Sequence, residues 1–380
     1  MKRVYWRSSR ASRGALALIA VVSALVMLAV EKLPVQAKQD FYAEKMLAAQ
    51  KAHEAMGVLK TERLRRGIAI DPELDPAGTG MIGSALTPVT SNMGYLDAKR
   101  ASVNPNFAAV LVDWLTRAGI EKGDLVALGL SGSFPALNVA TFAAVSALEA
   151  TPIVISGTSS SQWGANDPNF LWVDMEATLV EKKVFPFRSV AASRGGIDDV
   201  GLGMTKEGRA MLEAAIARND IRLIDSKSLD ESIAERMQIY EAHAQNRPIK
   251  AYVNIGGSTA SVGTRAGKKQ FEPGLTREAP GRAGMIDSVM ARFAERGVPV
   301  IHVVRIEELA LRHGIALDPA RISRIGESNV FVRAEYNRWL AGAGIALILL
   351  MMAAFLRLQI GLQILRVRRQ RASLRPEQMV

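Results

Sequence analysis

Three short loops rich in serine, threonine and glycine hold the residues best suited to chemistry in this chain. They are Ser131-Gly132-Ser133, residues 157–161 (GTSSS) and residues 256–259 (GGST). Hydroxyl groups and accessible backbone N–H groups bind anionic oxygens, so these loops favour an anionic or polar ligand. The same residues also make good turns and helix N-caps, which is the ordinary explanation for one such loop alone. Each loop follows an apolar run, and in a parallel sheet all three would lie at one edge.

The first loop also raises the alternative of a serine hydrolase. Residues 129–133 read Gly-Leu-Ser-Gly-Ser, one residue away from the GxSxG nucleophile elbow, and they stand between a predicted strand and a predicted helix. Ser131 would be the nucleophile, and Ser133 in place of the last glycine would crowd the turn. The three histidines that follow have no recognisable setting as a base. Ser131 is therefore a candidate nucleophile without a candidate base.

A polar segment after the second loop offers further ligand contacts. Trp163, Asn166 and Asp167 would line a pocket beside the serines, although the preferred explanation of Asp167-Pro168 is the N-cap and first turn of the next helix. Asn138 lies on the helix predicted after the first loop. We therefore predict a ligand site formed by Ser131, Gly132, Ser133, Asn138, Ser159, Ser160, Trp163, Asn166, Asp167, Gly256, Gly257, Ser258 and Thr259.

Residues that the chain lacks exclude several other kinds of site. It has no cysteine, which excludes disulfides, thiolate nucleophiles and zinc–sulfur sites. Its four histidines show no HxxxH or HxH spacing, so we predict no metal site. No GxxxxGK[ST] motif occurs, and Gly201-Leu202-Gly203 lacks the third glycine of GxGxxG because position 206 is lysine. We therefore predict no cofactor, and a carboxylate or sugar ligand outranks a nucleotide.

Alternating strands and helices must position these loops. The predicted strands are residues 125–130, 152–156, 221–225, 251–255 and 298–304. The predicted helices that follow or separate them are residues 134–150, 168–183, 206–218, 229–243 and 285–296. This alternation predicts an α/β domain, Rossmann-like, with a largely parallel sheet flanked by helices. The domain spans residues 67–335 and opens with a loop region over 67–101. Residues 31–66 are predicted to form a helical stalk before it, with packing on the domain or self-association as alternatives for its apolar face.

The positive charge of the chain is confined to its ends. The net charge is +11, yet residues 39–335 hold 34 Lys and Arg against 35 Asp and Glu. The other 14 basic and 2 acidic residues stand in the two terminal stretches. A nucleic-acid footprint would need this excess on the folded part, so we predict no nucleic-acid partner.

Two apolar runs predict membrane anchors. Residues 14–30 and 339–356 are uncharged runs of 17 and 18 residues, close to the roughly 20 that cross a bilayer as a helix. Basic residues dominate the tails, residues 1–13 and 357–380, so the positive-inside rule predicts that both tails are cytoplasmic. The domain between the runs would then lie outside the inner or plasma membrane of the cell. A cleavable signal peptide ending at Val35-Gln36-Ala37 is the alternative for the first run.

Five longer stretches resemble the poly-gamma-glutamate system protein family. They read LDAKRASVNPNF, GLSGSFPALN, QWGANDPNFLWVDME, FPFRSVAASRGGIDDVG and IKAYVNIGGSTASVGTR, in this order over about residues 96–265. The layout with an anchor at each end is similar as well. The resemblance implies a bacterial membrane component of the machinery that makes and exports poly-gamma-glutamate, a capsule or secreted polymer, with the membrane subunits of its synthase as partners. It implies no catalytic residue.

Two hypotheses follow for the domain. In the first, it is an accessory protein that binds polymer carboxylates, or a partner subunit, at the Ser/Gly loops. In the second, it is an amide hydrolase or transferase that acts on the polymer through Ser131 or Ser133. The first is preferred, because a hydrolase needs a base near Ser131 and the sequence shows none.

Overall fold

The computed structural model describes residues 13–264, 267–281, 285–318, 320 and 323–372. The chain divides into two compact units. One unit combines the two ends of the chain, up to Ala37 and from Arg333 onwards, and the other is Lys38–Val332. The tails were predicted as residues 1–13 and 357–380. Of these, residues 1–12 and 373–380 lie outside the described residues.

The helices are α1 (Arg13–Lys32), α2 (Tyr42–Arg65), α3 (Leu96–Ser102), α4 (Phe107–Arg117), α5 (Pro135–Ala147), α6 (Trp172–Glu181), α7 (Lys206–Arg218), α8 (Leu229–Ala244), α9 (Thr259–Val262), α10 (Val289–Glu295), α11 (Ile306–Arg312) and α12 (Arg338–Ala372). The strands are β1 (Val35–Lys38), β2 (Thr90–Asn92), β3 (Leu125–Ser131), β4 (Thr151–Gly157), β5 (Ser160–Ser161), β6 (Asn166–Asp167), β7 (Phe170–Leu171), β8 (Ala191–Ser193), β9 (Arg222–Ile224), β10 (Ile249–Ile255), β11 (Gly274–Thr276), β12 (Val300–Val303) and β13 (Val332–Glu335). A short 3-10 helix covers Gly267–Lys269.

The terminal unit contains α1, α12 and the two-stranded sheet of β1 and β13. The stretches Arg13–Lys32 and Arg338–Leu362 are long and apolar enough to cross a membrane, and they contain the two runs predicted from sequence. The two helices approach closely, because a Cβ added at Gly344 would lie 2.2 Å from Cγ1 of Val26. Small residues at such a contact are typical of helices that pack in lipid.

The other unit is built on a seven-stranded sheet with the order β11-β12-β10-β3-β4-β8-β9. All neighbours are parallel except β11, which runs antiparallel to β12 at the edge. The five predicted strands are all present, and the predicted α/β class with a largely parallel sheet is confirmed. The prediction missed β8 and β11, which have three residues each and do not stand in an apolar run of strand length.

The sheet is buried on both faces, as its continuous apolar strands predict. All seven residues of β3 are buried. Val126 and Leu128 pack in the core cluster that includes α4 and α5, whereas Ala127 packs in the cluster that includes α8 and α10. This alternation follows from the two-residue period of a strand. With helices on both faces, the carboxyl edge of the sheet is where a ligand approaches.

Helix α2 is a packed layer of this unit, where the sequence suggested a stalk over residues 31–66. Ala48, Ala52 and Leu59 on α2 are fully buried, and the helix packs against α4, α5 and α6. Lys45 also forms a 2.9 Å ion pair with Asp113 of α4. The alanine-rich face that looked compatible with a solvated stalk is the face that lets α2 approach its neighbours closely.

Candidate functional site

A cavity of about 490 Å³ lies at the carboxyl ends of β3, β4 and β10. The register places these ends side by side, because Ser131 pairs with Gly157 across β3 and β4, and Gly129 pairs with Asn254 across β3 and β10. The three hydroxyl-rich loops that leave these strands therefore meet, as the rule for parallel sheets predicts. The loop that follows β8 forms a further wall.

Thirteen residues were predicted to form the site, and the structure divides them into two groups. Those that line the cavity are Ser131, Ser133, Ser159, Gly257, Ser258 and Thr259. Those that lie outside its lining are Gly132, Asn138, Ser160, Trp163, Asn166, Asp167 and Gly256. Ligand binding by any of them stays a prediction.

Three residues of the second group hold the loops in shape from behind. The side-chain amide of Asn138 donates to the carbonyl of Ser131 at 2.8 Å. The N–H of Gly132 donates to the carbonyl of Gly157 at 3.1 Å, which ties the first loop to the second. The hydroxyl of Ser160 donates to the carbonyl of Ser161 at 2.7 Å. These contacts use up groups that the sequence suggested for a ligand.

The segment from Trp163 to Asp167 likewise supports the loops and does not line the cavity. Asn166 exchanges two hydrogen bonds with the backbone of Ser84, at 3.0 and 2.7 Å. Asp167 Oδ1 accepts from the N–H of Asn169 at 2.9 Å, in the turn between β6 and β7. The next helix begins only at Trp172, so the expectation that Asp167-Pro168 starts it is corrected.

Lys99 of α3 is a cavity residue that the sequence analysis missed. Its Nζ donates to Oγ of Ser161 at 2.7 Å and to the carbonyl of Ser133, and it lies 4.0 Å from the centroid of the Phe134 ring. Both the lysine and Ser161 are buried, at 2 % and 7 % exposure. Lys99 falls in residues predicted as a loop and stands 62 positions before Ser161, so no local spacing could have paired them.

Burial lowers the pKa of Lys99 from its ordinary 10.5 to about 7. The physical cause is desolvation, which disfavours the charged form of an amine. Among the described residues, no carboxylate forms an ion pair with Lys99. Near neutral pH the amine is therefore partly deprotonated, which an ordinary surface lysine is not.

Ser131, the candidate nucleophile of the sequence analysis, has no base beside it among the residues that the structure describes. Its hydroxyl donates to the carbonyl of Ile255 at 3.3 Å. Of the candidate histidines, His302 is fully buried and contacts the amide of Asn254 at 3.0 Å, and His243 contacts the carbonyl of Ile239. Neither lines the cavity. The elbow motif is thus present as a strand–loop–helix connection without the geometry of a nucleophile and base.

A buried ion pair holds the cavity wall that follows β8. Arg236 of α8 and Asp199 are each 2 % exposed, and Arg236 Nη2 lies 2.8 Å from Asp199 Oδ2. The same carboxylate accepts from the hydroxyls of Ser193 and Ser232 at 2.7 and 2.5 Å. Burial is the largest single influence and lowers the pKa of Arg236, but the charge and hydrogen bonds of Asp199, together with Tyr240 and Tyr252, outweigh it and the pKa is raised. This pair fixes the neighbouring Asp198, which lines the cavity.

The cavity lining offers polar groups that the protein leaves without partners. The hydroxyl oxygens of Ser159 and Ser258 make no hydrogen bond to any described residue. Buried polar atoms are nearly always satisfied, so such atoms at a cavity point to a ligand or to water.

The described cavity lining contains two charged residue types of opposite sign, Lys99 and Asp198. Within the described ranges, no group of three or more His, Asp or Glu is arranged to hold a metal ion.

Comparisons of the whole chain with protein-family models, with curated proteins and with solved structures found no match.

Proposed function

We propose that this protein is a membrane-anchored component of the machinery that makes or exports poly-gamma-glutamate, and that its cavity holds a segment of this polymer. The cavity at the carboxyl edge of the sheet is the observation that carries the proposal. Ligands of open α/β sheets gather at that edge, and here three loops present hydroxyl and backbone N–H groups to it. The identity of the polymer is supported by the sequence resemblance over about residues 96–265.

The balance of charge in the cavity favours such a polymer over a compact anion. Phosphate sites usually present arginine or several cationic groups, whereas the described lining pairs one lysine, Lys99, with one acid, Asp198. Poly-gamma-glutamate carries single carboxylates separated by amide groups. A site that binds it therefore needs neutral hydrogen-bond donors and acceptors at least as much as it needs charged side chains. The unpartnered hydroxyls of Ser159 and Ser258 are groups of that kind.

The two apolar helices support the rest of the proposal. We infer that both cross the cell membrane, that both tails are cytoplasmic as their basic residues favour, and that the α/β unit is extracytoplasmic. In this arrangement the spans contact membrane subunits of the polymer synthase, and the Rossmann-like unit receives the polymer outside.

Binding to the full-length protein in lipid nanodiscs tests the proposal. The probe is a fluorescent γ-glutamyl oligomer, followed by anisotropy, and the competitors are unlabelled poly-gamma-glutamate and hyaluronate. We expect saturable binding that poly-gamma-glutamate displaces and hyaluronate, a polyanion without a peptide-like backbone, does not. Equal displacement by both polymers would show binding through charge alone and would contradict the proposal, as would the absence of binding.

A variant in the cavity makes the test specific to this site. Ser258→Ala removes one unpartnered hydroxyl, and the loss of a hydrogen bond to a charged or polar ligand group weakens binding by about tenfold. Ser146→Ala on α5 is the matched control, because its hydroxyl accepts from Lys51 and it does not line the cavity. Equal affinity of the two variants would place the polymer elsewhere.

A further inference from the structure

Lys99 and Ser161 form a hydrogen-bonded pair inside the cavity. No feature of the sequence pointed to this pair. We propose that Ser161 is a nucleophile and Lys99 its general base, and that the pair cleaves an amide bond of the polymer segment in the cavity. The proposal rests on the proposed function for its substrate. It rests on the structure for the pair: the Nζ–Oγ distance is 2.7 Å, and both residues line the cavity.

The geometry meets the first requirement for a base. A general base must lie within about 2.6–3.2 Å of the atom whose proton it takes, and the Lys99–Ser161 contact falls in that range. The second requirement is a neutral amine, because an ammonium has no lone pair for a proton. Burial away from any ion-pair partner lowers the pKa of Lys99 to about 7, so the neutral form is well populated at neutral pH. Serine–lysine pairs are a known variant of the serine nucleophile with a base.

Ser133 holds the two members of the pair together. Its carbonyl accepts from Lys99 Nζ, and its Oγ accepts from the N–H of Ser161 at 3.1 Å. One residue therefore sets the position of the amine and that of the backbone that carries the nucleophile. We assign Ser133 as a positioning residue, where the sequence analysis considered it as a nucleophile.

The start of α5 offers donors for the oxyanion that forms in acyl transfer. The backbone N–H groups of Ser133 and Phe134 make no hydrogen bond to a described residue, and both residues line the cavity. Free N–H groups at the start of a helix stabilise negative charge, and oxyanion donors are often the largest single contribution to such catalysis. The 13 residues of α5 give this terminus a full helix behind it.

The reaction proceeds in two balanced halves. Ser161 Oγ attacks the amide carbonyl carbon as its proton passes to neutral Lys99. The C–N bond then breaks, and the leaving amine takes that proton from the Lys99 ammonium, which leaves an ester on Ser161. In the second half, water gives a proton to Lys99 and attacks the ester carbonyl. The C–O bond to Ser161 breaks, and Oγ takes the proton back from Lys99. The products are a carboxylic acid and an amine, and no other reactant is needed.

The pH dependence follows from the groups around Lys99. In the cavity these are Asp198 and Tyr95, and on α3 itself Asp97 and Arg100. Helix α11, which packs against α3, carries Glu307, Glu308 and Arg312, with Glu308 paired to Arg312 at 2.6 Å. None of these forms an ion pair with Lys99, whose shift has burial as its cause. Because the neutral amine is the active form, the rate of cleavage should rise with pH through about 7 and then level off.

The test uses full-length protein in nanodiscs and a γ-glutamyl oligomer, with cleavage measured as shortened chains and new amino groups between pH 5.5 and 9. We expect wild type to shorten the oligomer, with the pH profile described above. Ser161→Ala should cut the rate at least a hundredfold and still bind the oligomer in the anisotropy assay. Ser146→Ala, which breaks another lysine–serine pair, that of Lys51 and Ser146, should cleave as wild type does.

A second measurement keeps the test valid if Ser161→Ala does not fold. A fluorophosphonate probe labels activated serines, and peptide mapping of the labelled wild type should place the label on Ser161. Binding without shortening by wild type would overturn this inference and leave the proposed function standing. Shortening that persists in Ser161→Ala, or a label on Ser131, would overturn it as well. Absence of binding would refute the proposed function itself.

Discussion

Two lysine–serine hydrogen bonds in this protein have nearly the same length and very different surroundings. Lys99 Nζ lies 2.7 Å from Ser161 Oγ, and Lys51 Nζ lies 2.8 Å from Ser146 Oγ. The first pair is buried and lines the cavity. The second joins α2 to α5, with both residues partly exposed and outside the cavity lining.

The difference shows that the contact distance does not by itself decide what such a pair does. A lysine in contact with solvent keeps its hydration, so its hydrogen bond to serine is an ordinary structural contact. A lysine that is removed from water without a carboxylate partner loses stability in its charged form. Lys99 therefore gains the ability to take a proton, while the cavity beside it offers room for a substrate.

The largest effect is expected when the charge of Lys99 is made permanent. Lys99→Arg keeps a positive side chain of similar length, but a guanidinium does not deprotonate in the working pH range. Loss of a general base costs about a hundredfold to ten-thousandfold in rate, and we expect cleavage of the γ-glutamyl oligomer to fall by that factor. Lys51→Arg is the matched control and should retain the wild-type rate. Similar rates for the two variants would remove the functional difference between the pairs.

Arg236, another buried cation, tests whether burial of a charge is harmless when an ion-pair partner is present. Arg236→Leu leaves the Asp199 carboxylate buried without its counter-charge, which should lower the free energy of unfolding by about 3–5 kcal/mol. Arg296→Leu breaks the exposed pair with Glu241 and should cost at most about 1 kcal/mol. Urea denaturation of the full chain in detergent, followed by tryptophan fluorescence, measures both. A small loss for Arg236→Leu would mean that Asp199 finds another partner or is protonated.

Glu176 is a buried titratable group that contacts serines but does not line the cavity. Its carboxylate accepts from the hydroxyl of Ser189 at 2.8 Å and from its N–H at 2.5 Å. Burial, only partly offset by these bonds, raises the pKa of Glu176 from 4.5 to about 7. Its contribution to stability is therefore complete below pH 4.5 and is lost as the pH rises through about 7, a change of about 3 kcal/mol.

Glu176→Gln should remove this pH dependence. We expect the free energy of unfolding of wild type to fall between pH 5 and 7.5, and that of the variant to stay flatter over the same range. Lys99 acts in the opposite direction at higher pH, because its lowered pKa costs stability as the pH falls from 10.5 towards 7. Glu207→Gln, at an exposed position of α7, is the control for the loss of one carboxyl. If the free energy of unfolding fell equally steeply with pH in wild type and in Glu176→Gln, the expectation would be contradicted.

A smaller effect on the cleavage rate is expected from a substitution that displaces Ser133 but leaves its side chain unaltered. A Cβ added at Gly164 would lie 2.6 Å from the carbonyl oxygen of Gly132 and 2.8 Å from that of Ser133, so Gly164→Ala must displace this loop. Because Ser133 positions both Lys99 and Ser161, we expect the cleavage rate to drop about tenfold. Gly57→Ala on α2 has open space around the added methyl and should leave the rate unchanged. An unchanged rate in Gly164→Ala would show that Ser133 does not position the pair.

The smallest effect, a shift of the pH–rate profile, should come from removing the aromatic ring of Phe134 beside the amine of Lys99. Phe134 lies 4.0 Å from Lys99 Nζ, and an aromatic face stabilises the charged form by about 0.5–1 kcal/mol. Phe134→Leu removes this attraction, so the pKa of Lys99 should fall further, and the midpoint of the pH–rate profile should move down by about half a pH unit. A midpoint that stays in place or moves upwards would mean that the Phe134 ring does not face the Lys99 amine in solution.

The strands of the sheet could be predicted because strands and helices are encoded by patterns of neighbouring residues in the sequence. Five apolar runs of strand length, separated mainly by helical patterns, appear in the structure as β3, β4, β9, β10 and β12. The place of the cavity followed from the same pattern, since parallel strands bring their carboxyl ends and the loops after them to one edge. The packing of α2 could not be predicted in this way, because an alanine-rich face is compatible with both a solvated stalk and a tightly packed layer.

By itself, the sequence determined the α/β class, the two long apolar helices and the three hydroxyl-rich loops at one sheet edge. Only the tertiary structure decided which serine contacts a buried amine. Ser131 has the better local motif, yet its hydroxyl bonds to the carbonyl of Ile255, whereas Ser161 receives Lys99 from a helix 62 residues earlier in the chain. Residue types and local spacing encode strands and turns. The pKa of an amine depends on how far surrounding chain excludes water from it, and that is set by packing between distant segments.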